Sequence, residues 1–221
     1  MANKDQSTTQ MEGVLYVVRH GESEWNALGK WTGTTDVSLT EKGRHEARLL
    51  GEVMRDIPID HTFVSEQVRT HQTADEMFKA MQQCRDSYHI TSALNERDYG
   101  IYTGKNKWDL KQEIGEEEFN IIRRGWDNDV PDGENLKQVY GRVYPFYRDN
   151  IVPLLQKGDH VLVVAHGNSI RSLMKYVESI SDEDITEVEM IFGEVLIYRI
   201  DTSGKMLDKD ILRIDTVPPP A

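Results

Sequence analysis

Val14-Leu15-Tyr16-Val17-Val18-Arg19-His20-Gly21 decides the fold. Its apolar, partly β-branched residues run without interruption. That pattern reads as a strand buried on both faces, with Gly21 marking the turn that ends it. Far along the chain, His160-Val161-Leu162-Val163-Val164-Ala165-His166-Gly167 repeats the layout of a buried strand ending in His-Gly.

Helical periodicity fills the stretches around these two runs. Ser38 or Thr40 can cap a helix carrying Ala47, Leu50, Val53, Met54 and Ile57 on one side, and Ser38 and Glu41 stand at capping-box spacing. A helix is expected over 67–81, burying Ala74, Met77, Phe78 and Met81. The stretch 135–155 is also periodic, but Pro145 and Pro153 should bend or interrupt it. A further helix, 168–178, follows the second strand directly. Strands at 194–200 and 209–214 flank Asp201-Thr202-Ser203-Gly204, the turn of a hairpin. Strands alternating with helices define an α/β fold: a three-layer sandwich with a mostly parallel central sheet and helices on both faces. Ligands of such sheets bind beyond the carboxyl ends of the strands, the edge where His20 and His166 both fall.

The 221 residues suit one domain, expected over 12–215. The polar segment 1–11 and the tail 216–221, with its three prolines, are expected to be flexible termini. Hydrophobic residues make up 38% and charged residues 29%, an ordinary soluble composition. No window approaches the roughly 18 consecutive apolar residues of a membrane span. The start of the chain lacks the apolar core of a signal peptide. A lone cysteine, Cys84, excludes an internal disulfide framework and fits a reducing compartment, so a cytoplasmic location is expected. The formal net charge of −12 repels nucleic acid and anionic membranes, and neither is an expected partner. Within that acidic chain Arg19, Arg69, Arg123 and Arg124 fit a pocket for a small anion. From charge alone, arginines scattered over a solvated surface are the favoured reading.

Arg19-His20-Gly21 carries the central chemistry. A neutral imidazole can attack phosphorus and hold the group as a phosphoramidate. Neighbouring guanidinium charge disfavours the imidazolium and grips phosphate oxygens. Gly21 would let the backbone approach the anion without a Cβ in the way. In the second run, His166 can donate to the transferring oxygens, and Gly167 and Asn168 open a helix whose N-terminus favours anions. Either histidine alone reads as a packed structural residue; the duplication argues for a shared phosphate site. Seven histidines are present, yet none forms a closely spaced ligand motif, so no metal is expected.

RHGESEWN at 19–26, TG at 32–33, LNERDYG at 94–100, TGKNK at 103–107, RRG at 123–125 and AHGNS at 165–169 resemble the histidine phosphatase superfamily. Within it they are most similar to the cofactor-dependent phosphoglycerate mutases, over roughly residues 14–214. The resemblance implies that His20 is the phosphorylated nucleophile, with Arg19, Arg69 and His166 completing the phosphate pocket. It makes Glu96 the general acid and base. It places Asn26, Thr32 and Gly33 on the phosphate site, and Tyr99, Lys107, Arg123 and Arg124 on the carboxylate and second phosphate of a phosphoglycerate. Read without it, Glu96 is a surface carboxylate on a loop, and Arg123 and Arg124 are the wet face of a helix bearing Phe119 and Ile122.

The implied activity is interconversion of 3-phosphoglycerate and 2-phosphoglycerate, a step of glycolysis and gluconeogenesis, primed by 2,3-bisphosphoglycerate. Ser23, Lys107 and the paired arginines favour it. The alternatives are a phosphatase of the same superfamily and a non-catalytic protein that binds a phosphorylated metabolite. A homo-oligomer is compatible with either. The chain departs from the pattern in a short link, 125–133, after the paired arginines and in a reduced C-terminal tail. It also has Thr34-Thr35 where aromatic residues are usual, and acidic Glu66 within Ser65-Glu66-Gln67-Val68-Arg69.

Overall fold

Parallel pairing of the two His-bearing runs sets the centre of the molecule. The computed structural model describes residues 12–84 and 87–215. Its strands are β1 (Gly13–Arg19), β2 (His61–Val64), β3 (His89–Ile90), β4 (His160–Ala165), β5 (Glu194–Ile200) and β6 (Met206–Arg213). They form one sheet in the order β3-β2-β4-β1-β5-β6. The first four in that order are parallel, and β5 pairs antiparallel with both β1 and β6. β1 and β4 pair from Val14 opposite His160 to Arg19 opposite Ala165. His20 and His166 therefore leave the same edge side by side.

The helices are α1 (Glu24–Ala27), α2 (Glu41–Val53), α3 (Val68–Met81), α4 (Lys107–Ile114), α5 (Glu116–Arg124), α6 (Leu136–Phe146), α7 (Val152–Leu155) and α8 (Gly167–Val177). Side chains alternate across the sheet and so build two cores. Leu15, Val17, Val161 and Val163 meet Val139 and Val143 of α6 and Ile170 and Leu173 of α8. Tyr16, Val18, Leu162 and Val164 meet Ala47 and Leu50 of α2 and Ala74, Met77 and Phe78 of α3. Each fully buried Leu or Val stabilises the fold by about 1.5–3 kcal/mol over an exposed one. This is the expected three-layer α/β sandwich.

Two local expectations, at Val53 and at the start of β6, are corrected. Thr40, not Ser38, caps α2, with its hydroxyl accepting from Gly43 N at 3.0 Å. Ser38 lies two residues before that cap and accepts from Gln72 Nε2 instead. Val53 is 44% exposed, because the last turn of α2 rotates it off the apolar face. As expected, the α-helix of 135–155 is interrupted just after Pro145, although the helical path continues. A π-helical stretch, Tyr147–Ile151, joins α6 to α7, and Val152 N–H donates to Tyr147 O. Pro153 then falls in the first turn of α7, where its missing N–H costs little. β6 begins at Met206, earlier than expected, because Asp201 Oδ1 accepts from both Ser203 N (2.8 Å) and Lys205 N (2.9 Å) and closes the turn tightly. The segments expected to be flexible, 1–11 and 216–221, lie outside the described residues. Among the described residues no helix is long and apolar enough to cross a membrane.

Candidate active site

β1 continues one bond past its end, with His20 N donating to Ala165 O at 3.0 Å. The His20 ring is buried, and Nδ1 lies 2.7 Å from Gly21 O. A carbonyl only accepts, so Nδ1 carries the proton and Nε2 the lone pair. Burial, then the charges of Arg69 and Arg19, hold the His20 pKa well below 6.5 despite the opposing carbonyl bond. The ring is thus neutral, with the Nε2 lone pair available for nucleophilic attack. Gly21 serves a different purpose from the one expected. A Cβ there would lie 2.3 Å from Gly43 O, so the missing side chain admits the start of α2 rather than an anion.

His166 stands beside it, with ring centroids 4.9 Å apart. Its Nε2 meets Ser65 Oγ at 2.8 Å, while Nδ1 is buried and has no partner. Burial, followed by Arg69, His20 and Arg19, also keeps this ring neutral far below 6.5. When Ser65 donates to Nε2, the His166 proton sits on Nδ1 as a free donor.

Two arginines flank the pair. Arg69, on the first turn of α3, donates from Nη1 to Thr35 O (3.0 Å) and from Nη2 to Gly33 O (3.1 Å). Burial lowers its pKa to about 10, and it remains a cation at neutral pH. Arg19 Nη1 donates to Met190 O at 2.9 Å, and its guanidinium lies 3.8 Å from the Phe192 ring centre. Arg19 Nε, Arg69 Nε and Thr32 Oγ1 are buried without partners. A cluster of unmet donors beside two cations, in a neutral-histidine pocket, fits an anion.

Glu96 sits on an irregular loop, as expected, but is buried rather than at the surface. Its Oε1 accepts from Arg97 N (2.8 Å), Asn168 N (3.2 Å) and Asn168 Nδ2 (3.1 Å). A Cβ on Gly167 would stand 3.7 Å from both Glu96 Oε2 and Arg19 Cζ, so this glycine lies between the two groups. Asn168 Nδ2 also donates to Tyr99 Oη at 2.9 Å.

The residues line two adjoining spaces. The inner one, about 40 Å³, is walled by Arg19, His20, Asn26, Thr32, Gly33 and Arg69. The outer one, about 200 Å³, is walled in part by Arg123, Arg124, Gly167 and Asn168. Glu96, Tyr99 and Lys107 border both. Lys107 opens α4, whose start is set by Asn106 Oδ1 accepting from Trp108 N at 2.9 Å. Burial, then Arg19 and Arg123, lower the Lys107 pKa to about 8. Two of the expected site residues line neither space: His166, whose ring packs beside that of His20, and Ser23. Ser23 is fully buried and caps α1 through a reciprocal pair with Asn26, so it orients Asn26 instead.

Several contributors escaped the sequence reading. Gln67 bridges two walls, accepting from Glu96 N (2.8 Å) and donating to Gly33 O (3.0 Å). Glu66 holds Asn95, next to Glu96, through bonds of 3.0 Å from its backbone N–H and to its carboxylate. Arg97 and Arg171 donate to the last carbonyls of α5, at Ile122 and Arg124, and so fix the paired arginines. Glu189 pairs with Arg123 and Arg124. Polar residues in loops have no periodicity to betray them; Arg171, one turn into α8 behind His166, had the clearest positional signal. Among the described residues no group of three or more His, Cys, Asp or Glu is placed to hold a metal.

Known proteins match the chain over most of its length. The profile of the Histidine phosphatase superfamily (branch 1) matches residues 15–209. A 2,3-bisphosphoglycerate-dependent phosphoglycerate mutase 2 of Lactiplantibacillus plantarum is 37% identical over 225 residues, covering 90% of this chain and 98% of that protein. Among solved structures, a mycobacterial glucosyl-3-phosphoglycerate phosphatase superposes with a TM-score of 0.76 at 19% identity, over 92% of this chain and 100% of that one. A phosphoglycerate mutase from Bacillus anthracis gives 0.70 at 21% identity, over 95% of each chain. The chain belongs to the histidine phosphatase superfamily. Its curated relatives include proteins named as bisphosphoglycerate-dependent mutases, and its fold is shared by mutases and phosphatases alike.

Proposed function

We propose that this chain is a cytoplasmic 2,3-bisphosphoglycerate-dependent phosphoglycerate mutase, acting on 3-phosphoglycerate and 2-phosphoglycerate through a phosphohistidine on His20. One observation carries the reading. The chamber at neutral His20 adjoins a second chamber walled by Lys107, Arg123 and Arg124, and Glu96 borders both. A phosphate in the first leaves the glycerate carboxylate among the cations of the second, where arginine can grip it bidentately.

In the forward step His20 Nε2 attacks phosphorus. The N–P bond forms as the P–O bond breaks, and protonated Glu96 gives its proton to the leaving oxygen. Arg19, Arg69 and the His166 Nδ1 donor stabilise the charge on the three equatorial oxygens. In the return step the Glu96 carboxylate takes the proton of the other glycerate hydroxyl. The new O–P bond forms, the N–P bond breaks, and neutral His20 is restored. 2,3-Bisphosphoglycerate, when bound, supplies the first phosphoryl group. The unmet donors of Arg19, Arg69 and His166 fit its phosphate, and no step in this scheme uses a metal.

A phosphatase reading draws on one observation: Glu189 already engages the paired arginines, which weakens the hold on a departing glycerate. The deciding assay supplies 3-phosphoglycerate with a trace of 2,3-bisphosphoglycerate and measures 2-phosphoglycerate and inorganic phosphate in one tube. Mass spectrometry follows labile phosphate on His20. Mainly 2-phosphoglycerate supports the mutase, and mainly inorganic phosphate moves the assignment to the phosphatase. Turnover surviving in His20→Ala rules out the phosphohistidine route.

A further inference from the structure

Glu189 belongs to a short segment between the 3₁₀ turn Asp184–Glu187 and β5, and that segment forms one wall of the outer chamber. Arg19 pins it from beneath, through Met190 O and the face of Phe192. On the chamber side the Glu189 carboxylate takes a hydrogen bond from Arg124 and lies 3.5 Å from Arg123 Nη2. All three side chains are partly exposed, with Glu189 at 49% and the arginines at 29% and 27%. The protein thus presents its own carboxylate to the guanidinium pair best placed for a second anionic group of a ligand.

We propose that Glu189 is a specificity-determining residue that fills the outer anion site of the free protein and is displaced by the substrate's carboxylate. The proposal rests on the phosphoglycerate reading above and deepens it. Its physical basis is competition. A ligand carboxylate can use Arg123 and Arg124 only by sharing them with, or expelling, a tethered carboxylate of like charge. A ligand that has a phosphate but no carboxylate never meets this competitor, because its phosphate lies in the inner chamber. Glu189 therefore narrows the preference for substrates with two anionic ends over those with one. It also lowers the grip on a carboxylate that must let go for the glycerate to turn around.

The matched ligands are 3-phosphoglycerate and glycerol 3-phosphate, which differ at the carboxylate. Titration calorimetry on the full chain gives the affinity of each for wild type and for Glu189→Gln, an uncharged side chain of nearly the same shape. The glutamine variant should bind 3-phosphoglycerate about fivefold more tightly, the scale of one partly exposed ion pair. Glycerol 3-phosphate binding should stay within about twofold. Glu189→Asp, which keeps the charge, should stay nearer wild type. Equal shifts for both ligands would show a purely structural effect on the segment and overturn the proposal. Weaker 3-phosphoglycerate binding by Glu189→Gln would show that the carboxylate orients the arginines productively, and would overturn it too. Binding of 3-phosphoglycerate by neither protein removes the phosphoglycerate reading itself, and this inference falls with it.

Discussion

Arg142 grips Glu134 through two parallel hydrogen bonds of 2.9 Å, and the same guanidinium fastens the loop that carries Glu96. Nη1 donates to Ala93 O (2.8 Å) and Asn95 O (2.9 Å), and Nη2 donates to Glu96 O (3.2 Å). With Nε and the second Nη2 proton on Glu134, all five donors of the arginine are used. Glu134 in turn accepts from Asp98 N at 3.1 Å. The loop has no regular backbone ladder across this stretch, so this fork holds Glu96 in place.

Arg142 is accordingly a positioning residue, and its loss should show as a failure of proton donation. A general acid matters for a poor leaving group such as a glycerate alkoxide and little for p-nitrophenolate. Arg142→Ala should reduce turnover of phosphoglycerate about 100-fold, within the usual range of general acid catalysis. Cleavage of p-nitrophenyl phosphate by the same protein should fall only severalfold. Loss of both in parallel would assign Arg142 to stability alone. Arg142→Lys, which keeps the charge but lacks the fork, should behave like the alanine variant.

Lys107 gives a pH dependence of a defined sign. Its pKa, lowered to about 8 by burial and then by Arg19 and Arg123, means that the side chain is charged below that pH and neutral above it. Substrate affinity carried by its charge should be lost as pH rises through about 8. The profile of kcat/KM should therefore bend downward there. Lys107→Arg keeps its charge across this range and should remove the bend, with KM raised at every pH by its larger head. An unchanged bend in that variant would transfer the titration to another group.

The two site histidines give the opposite limb. Both are held neutral, with pKa values well below the ordinary 6.5, chiefly by burial. In the unfolded chain they protonate near 6.5, so below that pH the unfolded state binds more protons than the native one. Stability is then complete above about pH 6.5 and declines as pH falls beneath it, by about 1.4 kcal/mol per pH unit for each such histidine. Urea titrations between pH 7 and 5 should show this slope, and His166→Gln should lessen it. The acid limb of kcat/KM should lie well below 6.5, because His20 keeps its lone pair there. Stability that stays level between pH 7 and 5 would contradict the assignment.

The strands β1 and β4 were legible because they bury both faces and must therefore read as unbroken apolar runs; the four-residue β2 and two-residue β3 were too short to show a pattern. The shared His-Gly ending of β1 and β4 gave the active edge before any packing was known. The helices α2 and α3 were legible from Leu50 and Met77 recurring on one stripe. Glu96 was legible only by resemblance, since nothing local distinguishes it from a surface carboxylate. Its burial comes from Asn168, Gln67 and Arg142, which lie far from it in sequence. Ser23 was misjudged for the converse reason: its side chain is spent locally as the cap of α1. Glu189 was invisible because a loop carboxylate has no periodicity, and its partners on α5 belong to another part of the chain.

Gly21 and Gly43 form a backbone contact that sequence propensity would invite one to change. Gly43 is in the first turn of α2, where alanine is intrinsically preferred by at most about 1 kcal/mol. A Cβ at that position would lie 2.1 Å from Glu22 O, and one at Gly21 would lie 2.3 Å from Gly43 O. Both obstacles are backbone, which cannot swing aside as a side chain can. The overlap, costing about 1–3 kcal/mol or more, outweighs the propensity gain. Gly43→Ala should lower Tm by about 3–8 °C for a chain of this size. Because the displaced residue is Glu22, two positions beyond His20, the turn after the nucleophile shifts with it. The variant should therefore lose turnover even well below its melting temperature. Glu52→Ala, on the same helix but at an exposed position away from Glu22, is the control and should leave turnover nearly unchanged. A Gly43→Ala protein as stable and as active as wild type would show that α2 can move away from β1 at little cost, against the close packing seen here.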